Sequence, residues 1–141
     1  MLEVLQAFDH PFTIITKSAM VVRDLDIIGP MASRGLAKVT ISITTLDRRL
    51  ARRMEPRAAT PAKRLDTIRR LVVAGVPTTV MVAPVIPALN DIEIEDILKE
   101  AAKPFCYPAG LHWQVDAWDW ILSPSHWTRS NSKCPSRHNR K

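Results

Sequence analysis

Three short runs of apolar and β-branched residues alternate with helical patterns, and this alternation constrains the fold most. The runs are Phe12–Thr16, Val39–Ile43 and Thr78–Val82. Continuous apolar runs of this length are typical of parallel strands that are covered on both faces. Three strand–helix units in succession predict a parallel sheet with right-handed crossover connections. We therefore expect an α/β fold of about three parallel βα units, which form part of a TIM-like (β/α) barrel or a small open sheet.

Capping signals mark the predicted helices between these strands. Asp47 is placed to cap a short helix, and Thr60 followed by Pro61 is typical of the start of a longer one. Asp91 is expected to cap the last helix of this region in the same way. The first helical pattern contains Pro30, and a proline inside a helix predicts a kink or a late start.

Composition changes near residue 103 and divides the chain into two parts. Residues 1–103 hold 15 basic and 12 acidic side chains, whereas residues 104–141 hold 5 and 2 together with all four tryptophans. We expect a βα region over 1–103 and, over 104–141, a Trp-, Pro-, Ser- and Arg-rich tail that is irregular or read in a shifted frame. Basic and aromatic residues together suit the stacking and charge contacts of single-stranded nucleic acid. Nucleic acid is therefore a possible partner of the tail.

Several classes of function lack their required residues. The two cysteines, Cys106 and Cys134, have no partner at metal-ligand spacing, and four glycines provide no glycine-rich phosphate loop. His10 is the one histidine before residue 104, so no Ser/His/Asp or Cys/His triad is suggested. No apolar run reaches the ~20 residues of a membrane-spanning helix, and the N-terminus is unlike a signal peptide. We expect a cytoplasmic protein without a membrane partner.

Polar residues follow each predicted strand at the point where the strand ends. Thr16-Lys17-Ser18 follows the first strand, Ser42 to Asp47 ends the second, and Ala83 to Pro87 follows the third. Parallel βα proteins keep their ligand-binding groups at the carboxyl ends of the strands. A ligand at this edge is expected to meet the following side chains: Lys17, Ser42, Thr44 and Arg57.

These candidate residues offer different chemistry. Lys17 and Arg57 suit a carboxylate, the arginine through a bidentate fork. Ser42 and Thr44 suit hydroxyls or an amine, and the backbone around Ala83 suits a heteroaromatic base. Each candidate also has a structural interpretation: a solvated Lys17, packing roles for Ser42 and Thr44, an Arg57 paired with Glu55, and Asn90-Asp91 as a turn and helix cap.

The polar segments also match a known family when they are taken in order. They are Thr16-Lys17-Ser18-Ala19, Arg23-Asp24-Leu25-Asp26, Ser42-Ile43-Thr44-Thr45-Leu46-Asp47, Glu55 to Pro61, Arg64-Leu65, and Ala83-Pro84-Val85-Ile86-Pro87 to Asn90-Asp91. In this order and spacing they resemble the radical S-adenosylmethionine (SAM) superfamily. The similar branch is that of spore photoproduct lyase and the DNA repair photolyase-like proteins, and the resemblance covers roughly residues 2–102.

The resemblance implies an incomplete TIM-like barrel that holds a [4Fe-4S] cluster and S-adenosylmethionine. The family activity is reductive cleavage of S-adenosylmethionine to a 5′-deoxyadenosyl radical. By position, the resemblance assigns Lys17 and Arg57 to the methionine carboxylate, and Ser42 and Thr44 to the methionine or ribose portion. It places the loop from Ala83 near the adenine.

The sequence departs from the family pattern at the cluster. The CxxxCxxC loop that holds the cluster in the family is absent, and the first predicted strand corresponds to about the third barrel strand. Ala88 stands where relatives tend to have glycine. We therefore expect a middle fragment of a lyase-like radical enzyme that is inactive alone. The alternative is a nonenzymatic module that binds nucleic acid through its Trp-rich tail.

Overall fold

The computed structural model describes residues 1–103, which form a three-stranded parallel sheet with helices between the strands. Strands β1 (Phe12–Thr16), β2 (Ala37–Ser42) and β3 (Thr78–Met81) lie side by side in that order. The register aligns Ile14 with Val39 and Val39 with Thr78. The predicted parallel βα arrangement is therefore confirmed, and the three strands described form an open sheet.

Five α-helices and two 3-10 turns complete the region of residues 1–103. The helices are α1 (Leu2–Ala7), α2 (Leu25–Ser33), α3 (Arg48–Met54), α4 (Pro61–Val73) and α5 (Ile94–Ala102). The 3-10 turns, Ala19–Asp24 and Asp91–Glu93, lead directly into α2 and α5. None of these helices is long and apolar enough to cross a bilayer.

Two of the three predicted caps form as expected. The Asp47 carboxylate accepts the Arg49 N–H at 2.7 Å, and the Thr60 hydroxyl accepts the Lys63 N–H at 3.4 Å. The prediction for Asp91 was wrong, because Asp91 opens a 3-10 turn and α5 begins at Ile94. The α-helical part of α2 begins at Leu25, after a 3-10 turn, and contains Pro30.

The core lies between the sheet and the helices. Val39, Ile41 and Ile43 are almost fully buried, and they belong to one cluster with side chains of α2, α4 and α5, among them Ile28, Met31, Ile68, Leu71 and Ile97. Fully burying one such side chain contributes roughly 1.5–3 kcal/mol. Because side chains alternate along a strand, Thr40, Ser42 and Thr44 lie on the opposite face. The hydroxyls of these three residues therefore lie opposite the core, where the residues are only 1–5% exposed.

The predicted domain division falls at the end of the described region. Helix α5 spans Ile94–Ala102, and the domain division at residue 103 stays a prediction. The predicted Trp-rich tail, residues 104–141, lies outside the described residues.

Candidate functional site

The predicted site residues of β2 and β3 meet at the carboxyl edge of the sheet. Ser42 is the last residue of β2, and its hydroxyl donates to the Ala83 carbonyl, just after β3, at 3.2 Å. This bond joins the two strand ends beyond the last ladder contact, where Ile43 N–H donates to Met81 O at 2.8 Å. The Ala83 carbonyl and the Ser42 hydroxyl are thus engaged with each other, although the lone pairs of the hydroxyl remain able to accept a hydrogen bond.

A second connection reaches the same edge through a buried arginine. Arg64 lies in the first turn of α4 with a side chain that is only 2% exposed. Its guanidinium donates to the Ser42 carbonyl at 3.0 Å, to the Ala59 carbonyl at 2.8 Å and to a Glu55 carboxylate oxygen at 2.5 Å. A buried charge of this kind is tolerated only when it is paired and hydrogen-bonded, and Arg64 satisfies both conditions.

Glu55 bridges this arginine to the lysine that follows β1. One carboxylate oxygen accepts from Arg64, and the other pairs with the Lys17 ammonium. Burial alone raises the pKa of Glu55, but the hydrogen bonds from Lys17 and Arg64 outweigh burial and hold this pKa below its ordinary value. The carboxylate is therefore ionised at neutral pH, and it ties together the ends of β1, α3 and α4.

Thr44 carries the one buried side-chain polar atom in residues 1–103 that lacks a hydrogen-bond partner there. The residue is 1% exposed, and only its backbone carbonyl is engaged, by the Asn90 amide at 2.7 Å. An unpaired buried hydroxyl costs free energy of about 1–3 kcal/mol. A buried hydroxyl of this kind calls for an explanation, such as an ordered water, an ion or a catalytic role.

Asn90 holds the loop after β3 against the end of β2. Its side chain is fully buried and donates to the carbonyls of Thr44 and Pro84, at 2.7 and 2.9 Å. Its amide oxygen accepts the Ile86 N–H at 2.6 Å. Asn90 lies in a turn and caps the 3-10 turn Asp91–Glu93, as the turn-and-cap interpretation predicts, but its side chain also binds the Thr44 carbonyl, 46 residues away in sequence.

Glu93 makes a second connection to this segment, at the residues that follow Thr44. Its carboxylate accepts from the Thr45 hydroxyl at 2.8 and 2.9 Å and from the Leu46 N–H at 2.7 Å. The neighbouring threonines thus differ, because the Thr45 hydroxyl is bonded within the fold whereas the Thr44 hydroxyl is not. The Thr44 hydroxyl is therefore the buried side-chain group of residues 1–103 whose hydrogen-bonding capacity the described fold leaves unused.

Arg57 is placed differently from the other predicted site residues. It is an exposed residue of the loop between α3 and α4 and makes no hydrogen bond or ion pair with residues 1–103. The expected structural alternative, a pair with Glu55, does not form, and the two Glu55 oxygens pair with Lys17 and Arg64 instead. Among residues 1–103, Arg57 is therefore an unpaired cation that does not belong to the hydrogen-bonded framework of the edge.

A surface depression of about 420 Å³ lies at the opposite, amino-terminal end of the strands. It is lined mainly by apolar and backbone groups, among them Phe12, Ala37 and Pro77. Open parallel sheets bind ligands beyond the carboxyl ends of their strands. The Thr44 hydroxyl, which lacks a partner among residues 1–103, also lies at the carboxyl end, so the candidate site is there.

The residues of this chain do not fit an iron–sulfur cluster. Protein clusters are held chiefly by several cysteine thiolates. The sequence has two cysteines, Cys106 and Cys134. In the described region, no group of three or more His, Cys, Asp or Glu side chains could hold a metal ion.

The topology defines a βα protein with a three-stranded parallel sheet and a polar carboxyl edge. The family model for the Radical SAM superfamily matches residues 2–101, and the chain belongs to this superfamily. The superfamily uses S-adenosylmethionine and a [4Fe-4S] cluster. The predicted family is confirmed at this level, and the cofactors are implied by membership.

Three relatives illustrate the match. The chain is 35% identical over 96 residues to ORF301 of Acidianus two-tailed virus, covering 64% of this chain and 31% of that protein. It is 38% identical over 87 residues to Rv2578c of Mycobacterium tuberculosis (strain ATCC 25618 / H37Rv), covering 62% and 26%. It is 32% identical over 93 residues to MJ0683 of Methanocaldococcus jannaschii, covering 66% and 34%. The chain therefore spans 26–34% of the length of these relatives. No solved structure matches it.

Proposed function

We propose that the carboxyl edge of this sheet binds the methionyl part of S-adenosylmethionine, as one wall of a radical SAM cofactor site. The observation that carries the proposal is the Thr44 hydroxyl, which is buried at this edge without a partner among residues 1–103. Lys17 lies at the same edge, 38% exposed, and provides a cation for the methionine carboxylate. When bound, S-adenosylmethionine supplies the radical chemistry of the superfamily, and the residues of this chain bind and orient it.

The side chains have distinct roles in this proposal. The Thr44 hydroxyl donates to, or accepts from, the amino acid or ribose portion of the ligand, while Lys17 and Arg57 face the carboxylate. Ser42 accepts a hydrogen bond through its free lone pairs and keeps Ala83 in place. The photolyase-like branch is part of the proposal as well, on the motifs from Ser42 to Asp47 and from Glu55 to Pro61.

Substitution of Thr44 by valine separates this proposal from a purely structural role. The change removes the hydroxyl at nearly constant volume, so it should weaken S-adenosylmethionine binding about tenfold, the loss of one hydrogen bond to a charged ligand. It should also raise the free energy of unfolding by about 1 kcal/mol, because an unpaired buried hydroxyl disappears. Calorimetric titration and urea unfolding measure the two effects.

Thr67→Val is the matched control for this experiment. Thr67 is 2% exposed on α4, and its hydroxyl donates to the Lys63 carbonyl at 2.8 Å. This control should lose stability and keep its affinity. Equal affinity in wild type and Thr44→Val, or a loss of stability in Thr44→Val, would contradict the assigned role.

We also propose that these 141 residues assemble no stable four-iron cluster and are inactive alone. The support is the cysteine content, since two thiols cannot provide the ligand set that the superfamily uses. Anaerobic reconstitution followed by iron and sulfide analysis should give far less than one cluster per chain. Four irons and four sulfides per chain, with the absorption of a [4Fe-4S] centre, would overturn this part of the proposal.

A second candidate function, nucleic-acid binding, is favoured by the outer face of α3. Arg48, Arg49, Arg52 and Arg53 are exposed and make no ion pair within the described region. At 100° per residue they occupy one side of the helix, and Ala51 faces inward. Such a face suits the phosphates of single-stranded nucleic acid.

Salt-dependent binding to a labelled single-stranded oligonucleotide tests this candidate. Replacing the four α3 arginines by glutamine should reduce the slope of log affinity against log salt by about 3, at about 0.7 per phosphate contact. The charge-matched control replaces Arg23, Arg34, Arg69 and Arg70, which lie elsewhere, three of them in ion pairs. Equal slopes in the two variants would remove the candidate.

A further inference from the structure

The three ionic side chains Lys17, Glu55 and Arg64 form a row that we name the edge triad. Exposure falls along this row, from 38% at Lys17 to 13% at Glu55 and 2% at Arg64. Two cations and one anion leave one net positive charge. Because Lys17 is the most exposed member, the ligand encounters that net charge at Lys17.

Arg64 cannot reach a ligand at the edge by itself. Its three bonded nitrogens are committed to the Ser42 carbonyl, the Ala59 carbonyl and Glu55. Moving the guanidinium would leave two backbone carbonyls and a carboxylate without their partner, and each such loss is unfavourable in a buried place. Arg64 therefore acts on the ligand through the groups that it holds, which are Glu55 and the backbone of Ser42.

We infer that Arg64 is a positioning residue that keeps the Lys17 ammonium available for a ligand carboxylate. Arg64 holds one oxygen of Glu55 and offsets its charge, so the edge triad keeps a net charge of +1 although Lys17 is itself paired with Glu55. The second oxygen of Glu55 then fixes where the ammonium lies. The inference rests on the proposed function, since the carboxylate is that of S-adenosylmethionine. It assigns the preference of the edge for a ligand with a carboxylate to the edge triad.

Charge counting gives each variant of the edge triad a different prediction. The net charge is +1 in wild type, 0 in Arg64→Met, +2 in Glu55→Gln, and again +1 in the double variant that combines both substitutions. If net charge at Lys17 sets the preference, Arg64→Met should lose it and the double variant should regain it. A merely structural role of Arg64 predicts no such recovery, because the double variant lacks both buried partners.

The experiment compares two probes on the full chain, S-adenosylmethionine and its decarboxylated analogue. Wild type should prefer S-adenosylmethionine, Arg64→Met should reduce the ratio of affinities about tenfold, and the double variant should restore it to within about twofold of wild type. Lys17→Met is the positive control and should reduce the ratio as Arg64→Met does. Circular dichroism identifies any variant that fails to fold. If Arg64→Met is unfolded, the affinity ratios of Lys17→Met, Glu55→Gln and the double variant test the same dependence on net charge.

A titration without ligand examines the bridge itself. Carbon-13 NMR of the Glu55 carboxyl should show a higher pKa in Lys17→Met and in Arg64→Met than in wild type, because each removes a hydrogen bond that lowers it. An unchanged Glu55 pKa in both variants would overturn the inference. The inference would also be overturned if the affinity ratio of Arg64→Met or of the double variant did not follow the net charge of the edge triad. If wild type binds neither probe, the proposed function fails and the inference fails with it. A preference that survives Arg64→Met refutes the inference alone.

Discussion

Replacing Asn90 by alanine should destabilise the fold by about 3 kcal/mol. The side chain is fully buried, and its loss leaves three backbone groups without a partner: the carbonyls of Thr44 and Pro84 and the N–H of Ile86. Each buried unpaired group costs about 1 kcal/mol at the lower end of the measured range. The small cavity left by the amide adds to this cost.

Asn90→Asp decides whether hydrogen bonding or volume carries the effect. Aspartate has nearly the same shape, and it still accepts from the Ile86 N–H, but an ionised carboxylate cannot donate to the two carbonyls. It also buries a charge beside them, which is unfavourable. Asn90→Asp should therefore cost at least as much as Asn90→Ala.

Urea unfolding followed by circular dichroism at pH 7 measures these free energies. Asp91→Ala is the neighbouring control, because Asp91 makes only an exposed bond to the Ile92 N–H, and its loss should change stability by no more than about 0.5 kcal/mol. The reasoning would be refuted by a nearly neutral Asn90→Asp beside a costly Asn90→Ala. That result would mean that the shape of the side chain matters and its donors do not.

Three further predictions concern other residues of the described region. Ala88→Gly should stabilise the fold by about 0.5–1 kcal/mol. Ala88 has a φ of +61°, and this left-handed conformation costs a non-glycine residue about 1–2 kcal/mol. A loss of stability in urea unfolding would refute this prediction. Asp47→Ala should cost about 1 kcal/mol through loss of the α3 cap, whereas Asp47→Asn should cost little, and the same assay compares them. The pKa of Glu55 is lowered in the folded state, so its ionised form stabilises the fold at pH values above the unfolded pKa of about 4.3, and this contribution is lost as pH falls through the folded pKa. The stability difference between wild type and Glu55→Gln should thus be present at pH 7 and shrink below about pH 4, and a difference independent of pH would contradict the bridge.

The order of strands and helices could be predicted from local patterns. Apolar runs gave the three strands, and Asp47, Thr60 and Pro61 marked the starts of α3 and α4, because capping depends on residues that are close in sequence. The prediction that Asp91 caps the last helix was wrong because it, too, rested on the local pattern alone. Glu93 takes the position before α5, and its carboxylate binds Thr45 and Leu46, which no local pattern reveals.

The framework of the candidate site depends on contacts between distant segments. Arg57 was predicted as a site residue, with a pair to Glu55 as its structural alternative. The arginine that is buried and paired with Glu55 is Arg64, seven residues later. One signal was present, since Arg64 lies four residues before Ile68 and seven before Leu71, on the buried stripe of α4. A charged residue on such a stripe needs a partner of opposite charge, and Glu55, nine residues earlier, is that partner.

The location of S-adenosylmethionine on the sheet tests the central claim most directly. Methyl NMR of the full chain, with threonine and alanine methyl groups labelled, reports on both ends of the strands at once. Addition of S-adenosylmethionine should shift the Thr44 and Ala83 methyl signals at the carboxyl edge and leave Ala37, at the amino-terminal depression, unchanged. Shifts at Ala37 without shifts at Thr44, or no shifts at any ligand concentration, would contradict the claim that the carboxyl edge forms a wall of the cofactor site.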